Sequence, residues 1–457
     1  MSVTKDTSAP AENKMGVMPV NKLLFTMSMP MIISMLVQAL YNVIDSIFVA
    51  QIGETALAAV SLAFPVQNLI IAVSTGTGVG VNALLSRSLG EKNRKNANLA
   101  AVNGLFVFFL SYLVFAVFGI FFAGMYFSVQ TSNPEIIRQG TAYLSICSTF
   151  SFGIFLEIAL ERIMQSTGRT IYNMITQGLG AIINIILDPI LIFGLFGFPR
   201  MGITGAAVAT VIGQIIAMCL LLYFNISKNT DVDMNMRGFR PHKETILEIY
   251  RVGLPSIIMQ SIGSVMTFGV NKILLMFSET AVSVFGIYFK LQSFIFMPVF
   301  GMNNAIVPIV AYNYGAHCKD RIMKTIRSGA LAAVAIMLVG LAIFQIFPAQ
   351  LLMMFDASEN MLAIGVPALR LISLSFLFAG YCIVVGSVFQ ALGNGVYSLI
   401  VSAARQLVCI LPLAFIFAEV FGLHAVWYAF PLSEIISMVM TTVLFRRIYV
   451  KRIKGLA

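Results

Sequence analysis

Charge is scarce in this chain. Asp, Glu, Lys and Arg make up 11% of its 457 residues, against about 25% in a soluble domain. The mean hydropathy is +0.91. So little charge cannot cover a water-soluble fold, which excludes nearly all soluble enzyme classes. Three His and one Trp leave little material for a metal or haem centre. The five Cys (Cys147, Cys219, Cys318, Cys382 and Cys409) form no spaced pairs, so neither a disulfide framework nor a zinc site is indicated. G-x-x-x-x-G-K-[ST] is missing, and with it an ATP motor; H-E-x-x-H and G-x-S-x-G are missing too. Gly76-Thr77-Gly78-Val79-Gly80 is rich in glycine but lies inside an apolar run, where close helix packing explains it better than phosphate binding. The polar start of the chain is not followed by a short apolar core and a small-residue cleavage site, so the first span is expected to serve as its own signal. No enzyme activity, cofactor or nucleic-acid partner is expected.

What the chain has is long apolar runs. Twelve are long enough to cross a bilayer: 23–50, 56–86, 98–126, 138–165, 170–196, 202–226, 246–278, 281–311, 326–347, 361–391, 396–421 and 425–448. The fold class is therefore an all-α polytopic membrane protein. Lys and Arg set its orientation. With the N-terminus inside, the inner segments hold Lys5, Lys14, Lys22, Arg87, Lys92, Arg162, Arg169, Arg237, Lys319, Arg321, Arg405, Arg446 and most of the other basic residues, while the outer turns carry Glu54, Glu135, Glu279, Asp356 and Glu359. Both termini are expected inside. The longest polar connection, 227–245, reads as a linker between lobes 23–226 and 246–448, with room for a short surface helix. Residues 1–22 and 449–457 are tails.

The halves repeat. A shift of 225 puts Pro30 on Pro255, Glu54-Thr55-Ala56 on Glu279-Thr280-Ala281, Gln67 on Gln292, Gly90 on Gly315, Gln165 on Gln390 and Tyr172 on Tyr397. Each unit has six spans, an even number, so both halves insert the same way up, as in secondary transporters built from parallel repeats.

Six of the acids in or at the ends of spans are candidates for chemistry. Asp45 shares a helical stripe with Gln38, Tyr41 and Asn42 at i, i+3, i+4 and i+7 spacing. An ionised Asp at mid-membrane costs about 3 kcal/mol even on the lenient insertion scale. The stripe therefore points into protein or water as an ion or substrate site, unless Asp45 is simply solvated near its span end. Asn184 and Asp188 share a face, with Gln177 two turns earlier, and Pro189 follows; Asp188 could equally be a polar stop. In the repeat, Asp45 meets Val270 and Asp188 meets Leu413, so the scaffold survives without these acids. Two buried carboxylates together would hold a proton or Na⁺, with a cationic substrate competing; Na⁺ at Asp45 and Asp188 is the one metal ion expected. Glu157 is a second-rank site candidate. Glu161 and Arg162 read as a structural ion pair, and Glu419 and Glu434 as structural. Lys290 either repels cations or pairs with a carboxylate. The 37 Phe and 26 Met add weak support for a site that accepts varied apolar ligands.

Twelve spans in two parallel halves, Asp45 in the first span, Asn184 and Asp188-Pro189 in the fifth, and GITGAAVAT (202–210) opening the sixth resemble the multidrug and toxic compound extrusion (MATE) transporters, nearest the MepA-like and DinF-type bacterial branch. The likeness covers the chain from about Leu23 to Tyr449. It implies a monomeric antiporter in the bacterial inner membrane that exports organic, often cationic compounds in exchange for H⁺ or Na⁺. It also implies that Tyr41, Asp45, Asn184 and Asp188 form a coupling site in the first lobe. The seventh, eighth and tenth spans lack the carboxylates of the NorM-type pattern, which favours coupling in the first lobe alone. A lipid-linked oligosaccharide or polysaccharide flippase of the same superfamily is the alternative, and a channel the more distant one; the few deep basic residues argue against the flippase.

Overall fold

The computed structural model describes residues 13–456. Lys5, placed above among the basic residues of the inner end, and the rest of the first twelve residues lie outside the described residues. In lipid, each backbone N–H and C=O must find its partner within its own segment, so long apolar runs become helices. Among the described residues, ten helices are long and apolar enough to cross a membrane, and two bent pairs of shorter helices, each taken as one span, make twelve. They are α1 (Val20–Ile52), α2 (Glu54–Gly90), α3 (Arg94–Phe121), α4 (Pro134–Thr149 with Phe152–Ser166), α5 (Thr170–Phe193) and α6 (Ile203–Lys228) in the first half. The second half has α7 (Lys243–Leu275), α8 (Glu279–Gly315), α9 (Lys319–Ile346), α10 (Glu359–Ser373 with Phe376–Ala391), α11 (Gly395–Phe421) and α12 (Leu423–Ile453).

The halves are alike in their irregularities too. The fourth span of each is broken, by 41° in α4 and by 48° in α10. At each break a serine hydroxyl takes up a carbonyl freed from the helix: Ser151 Oγ donates to Ser148 O (2.8 Å), and Ser375 Oγ to Ile372 O (2.7 Å). The connection over 229–242 carries no surface helix. Its polar groups are spent on the first half instead: Arg169 pairs with Asp231 (3.3 Å), Arg94 donates to Thr230 O (2.8 Å), and Asn103 Oδ1 accepts from His242 N (2.8 Å).

Among the described residues, the hydrogen bonds that cross between halves begin at Asn68–Ser264 (3.1 Å) and run toward the basic end. They pass through Thr75–Gln260 (2.9 Å) and Arg162–Asn304 (3.0 Å) to Asn313, which donates to Met15 O (3.2 Å). The tightest approach is symmetric. A Cβ on Gly90 would run into the Tyr312 carbonyl, and a Cβ on Gly315 into the Arg87 carbonyl. Both pairs are related by the 225-residue shift, so α2 and α8 cross backbone to backbone on the axis that relates the halves. Only glycine allows this approach.

Gly90→Leu or Gly315→Leu is therefore expected to wedge the halves apart at the basic end. Val307 lies 5% exposed beneath this crossing. A cysteine placed there, with the five native cysteines replaced by serine, should react with a bulky thiol reagent in either glycine variant and stay protected without it. Protection in both variants counts against the crossing as the seal.

Candidate functional site

The polar stripe of α1 divides between two surroundings. A stripe at i, i+3, i+4 and i+7 is about 100° wide, and its edges face different neighbours. Tyr41 and Asp45, on one edge, turn toward α5 and α6. Gln38 and Asn42, on the other, are exposed, and the Asn42 carbonyl accepts from Ser46 Oγ (2.8 Å). The structure thus leaves Gln38 and Asn42 exposed, on the other edge of the stripe from Tyr41 and Asp45.

Asp45 and Asp188 are brought into side-chain hydrogen-bonding contact. Asp188 is 0% exposed, and one oxygen of each carboxyl, Asp45 Oδ1 and Asp188 Oδ1, is buried without a partner. Asn184, one turn before Asp188 on α5, serves both it and α6. With its amide turned to satisfy both ends, Nδ2 donates to Asp188 Oδ2 (2.9 Å), and Oδ1 accepts from Thr210 N (3.0 Å) and Oγ1 (3.2 Å). The Tyr41 hydroxyl lies against Thr210 and near both carboxyls. Beyond them, Gln67 donates to Tyr143 OH (3.0 Å), and Tyr143 and Cys147 of α4 face Asp45. Thr210, Tyr143, Gln67 and Cys147 carry no site assignment from the sequence. Thr210 closes GITGAAVAT, and Gln67 was visible only as a repeat match with Gln292.

Chemically the centre is two carboxyl groups in contact, flanked by the Asn184 amide N–H and the hydroxyls of Thr210 and Tyr41. Two carboxylates so close cannot both stay ionised alone. Either one proton is shared between them or a small hard cation sits among the oxygens, which are the ligand type such cations take.

Two expectations are corrected nearby. Gln177 does not join Asp188: its Nε2 donates to Glu161 Oε2 (3.0 Å). Glu161 and Arg162 do not pair with each other. Adjacent residues on a helix point about 100° apart, and here the two meet only through Gln165, whose amide bonds both. Glu161 Oε1 accepts from Gln165 Nε2 (2.7 Å), while Arg162 Nη1 donates to Gln165 Oε1 (2.9 Å) and, across the halves, to Asn304 Oδ1 (3.0 Å). Glu157 groups with Glu161, one turn away, and not with the Asp pair. Beside Arg162 is a cavity of about 40 Å³ whose lining includes Val79 and Asn304, Asn82 and Val307, and Arg162 and Ser387, each pair 225 residues apart. It lies on the axis between the halves.

The second half differs from expectation in one place. Arg405, assigned above to an inner segment, lies within α11, and Glu434 of α12 is 5% exposed. Arg405 Nη1 stands 3.2 Å from Glu434 Oε2, so the second lobe also holds a buried acid, neutralised by its neighbour. Glu419 is exposed. Lys290 stands over the Phe355 ring, 5.8 Å from its centroid.

Comparison with known proteins places this geometry. The MatE family model matches residues 30–190 and again 255–416. The two matches begin 225 residues apart, in the register of the internal repeat. The multidrug export protein MepA of Staphylococcus haemolyticus is 26% identical over 414 residues, 90% of each chain. A protein of Shewanella oneidensis named FAD transporter is 25% identical over 434 residues, 94% of this chain and 95% of that one. A solved structure described as the outward-facing conformation of a multidrug resistance MATE family transporter of the MOP superfamily superposes with a TM-score of 0.91 at 27% identity, covering 98% of this chain and 99% of that one. With the family model matched across both halves, the chain belongs to the MatE family of membrane transporters.

Proposed function

We propose that the chain is a secondary active exporter of organic, mainly cationic compounds from a bacterial cell, driven by H⁺ or Na⁺ bound at Asp45 and Asp188. One observation carries the reading: two carboxyl groups in contact, in one lobe only, at positions where the repeat has Val270 and Leu413. The names of the staphylococcal relatives support drugs as cargo. The name of the Shewanella relative widens the range of cargo chemistry among proteins this similar.

Charge sets the orientation in the membrane. The end rich in Lys and Arg belongs in the cytoplasm, and it is the end where the two halves meet. The halves are therefore closed toward the cytoplasm in this state. Cation binding cancels the repulsion within the Asp pair; cargo bearing a positive charge competes for the same carboxylates. Release of one favours capture of the other, which is exchange. Pro189, next to Asp188, cannot donate its own helical hydrogen bond, so α5 can bend there as the charge of the pair changes.

Asp45→Asn and Asp188→Asn are each expected to abolish gradient-driven ethidium efflux from proteoliposomes while leaving the amount and thermal stability of the protein near wild type. Full efflux in Asp45→Asn would remove the coupling assignment. Imposing pH and Na⁺ gradients separately on the wild type identifies the ion. Thr210→Val removes the hydroxyl that fixes Asn184. Since a hydrogen bond between neutral groups contributes about 0.5–1.5 kcal/mol, the driving ion should be needed at about two- to tenfold higher concentration. An unchanged ion dependence places Thr210 outside the site.

A further inference from the structure

The Arg405–Glu434 pair has no task in the exchange just described. Arg405 sits ten residues beyond Gly395, where α11 begins, about 15 Å along the helix at 1.5 Å per residue. It belongs to a π-helical stretch, Ala404–Ile410. The wide turn has a local cause: Pro412 cannot donate, and its ring crowds the carbonyl four residues back. A charged residue at such depth is costly and marks a functional position unless its surroundings fully satisfy it.

Here they do not. A single nitrogen, Nη1, straddles both Glu434 oxygens, at 3.3 and 3.2 Å, and the two-nitrogen fork that guanidinium groups offer carboxylates is not formed. Nε and Nη2 meet no protein acceptor among the described residues, and neither is sealed from solvent. The Arg405 side chain keeps 26% of its surface, while that of Glu434 keeps 6%. Tyr288 of α8 and Cys382 of α10 lie close to both charges. Gln292 Oε1, one turn beyond Tyr288 on α8, is buried without a partner. Since these neighbours come from α8, α10 and α12, the guanidinium points into the interior of the second lobe and not at lipid. Nor is it needed to build the lobe. The 225-residue shift puts Gly180 at this position in the first half, where the helix packs directly on its neighbour: a Cβ on Gly180 would stand 3.3 Å from the Gly213 carbonyl.

We propose that Arg405 anchors a second binding site, in the second lobe, for an anionic carboxylate or phosphate group of a transported molecule, with Glu434 as its occupant when no cargo is bound. The proposal rests on the transport reading above. An anionic group takes the donors that Glu434 leaves free, in the planar geometry that favours arginine over lysine for these groups. The two lobes then recognise opposite charges, acids in the first and the guanidinium in the second.

The test uses the full chain in nanodiscs, with fluorescein as the anionic probe and anisotropy as the readout. Saturable binding to the wild type is expected. Glu434→Gln frees the guanidinium and should tighten binding by about tenfold, the scale of one charge-assisted hydrogen bond. Arg405→Gln should lose the binding, and Arg405→Lys should restore part of it. The double variant Arg405→Gln/Glu434→Gln removes both charges together, so it guards against misfolding of either single change; it too should not bind fluorescein. Equal fluorescein binding by wild type and double variant overturns the proposal, as does the absence of saturable binding in both wild type and Glu434→Gln. Ethidium efflux by the wild type is measured alongside. If that fails, the transport reading falls; if ethidium moves and fluorescein does not bind, the anion site alone falls.

Discussion

Two carboxyl groups held in contact, that of Asp188 fully buried, are the constraint from which the rest of this structure takes its meaning. Like charges at this distance tolerate each other only with a proton or a cation between them. The surrounding groups keep the pair from escaping that choice. Asn184 gives one donor to Asp188 and is itself fixed from behind by Thr210 (3.0 and 3.2 Å), so the carboxyl cannot swing away toward solvent. Tyr41 closes the near side. Pieces from α1, α5 and α6 therefore share one electrostatic problem, and whatever solves it holds three helices together. Losing the solution loosens them.

The same helix that carries Asp45 also leans on the other lobe. Ile32 of α1 packs against Gly301 of α8, where a Cβ would stand 2.7 Å from the Ile32 Cα. Pro30, two residues earlier, leaves the Thr26 carbonyl without its usual helical donor. The helix thus has a contact with the second lobe, a weak point beside it, and an ionisable group about three and a half turns beyond Ile32. Farther toward the basic end, the crossing of α2 and α8 at Gly90 and Gly315 leaves no side chain between the backbones. A packed contact of this kind is either made or broken, since close-packed interiors do not stretch by small amounts. A change at the carboxyls can therefore be read out as engagement or release of the lobes.

Much of this was legible in the residues. Long apolar runs gave all twelve spans, because a chain with so few charges has nowhere else to put them. The 225-residue shift was visible because its matches are Gly, Pro and polar residues, which apolar drift does not produce. Asp45 and Asp188 stood out as acids that their repeat partners lack. What the sequence did not resolve is which edge of a helical stripe meets protein. Gln38 and Asn42 share the stripe with Asp45 yet stay exposed, and Gln177 shares a face with Asp188 yet reaches Glu161, because helix crossings and not spacing decide the partner. Glu161 and Arg162 looked like a pair on adjacency alone, but neighbours on a helix diverge. Arg405 was assigned to the inner segments although it falls inside the run 396–421, and its contact with Glu434 shows that it is held within the span.

That last difference bears on how a duplicated scaffold acquires two chemistries. In the first half, Gly180 lets α5 approach α6 until a Cβ would stand 3.2 Å from Ala217 Cβ, and the polar groups gather further along, at Asn184 and Asp188. In the second half the equivalent position is Arg405, and the helix pair is linked there by charge and not by close packing of small residues. Glycine at one copy and arginine at the other cannot satisfy the same packing, so the two lobes could not have kept identical interiors once either change was made. The acids of the first lobe need a mobile positive partner, because the protein supplies no fixed one in contact with them. The acid of the second lobe already has a fixed one. A cation that comes and goes therefore acts on the first lobe and leaves the second unchanged, which is the asymmetry that a transporter with one coupling site requires.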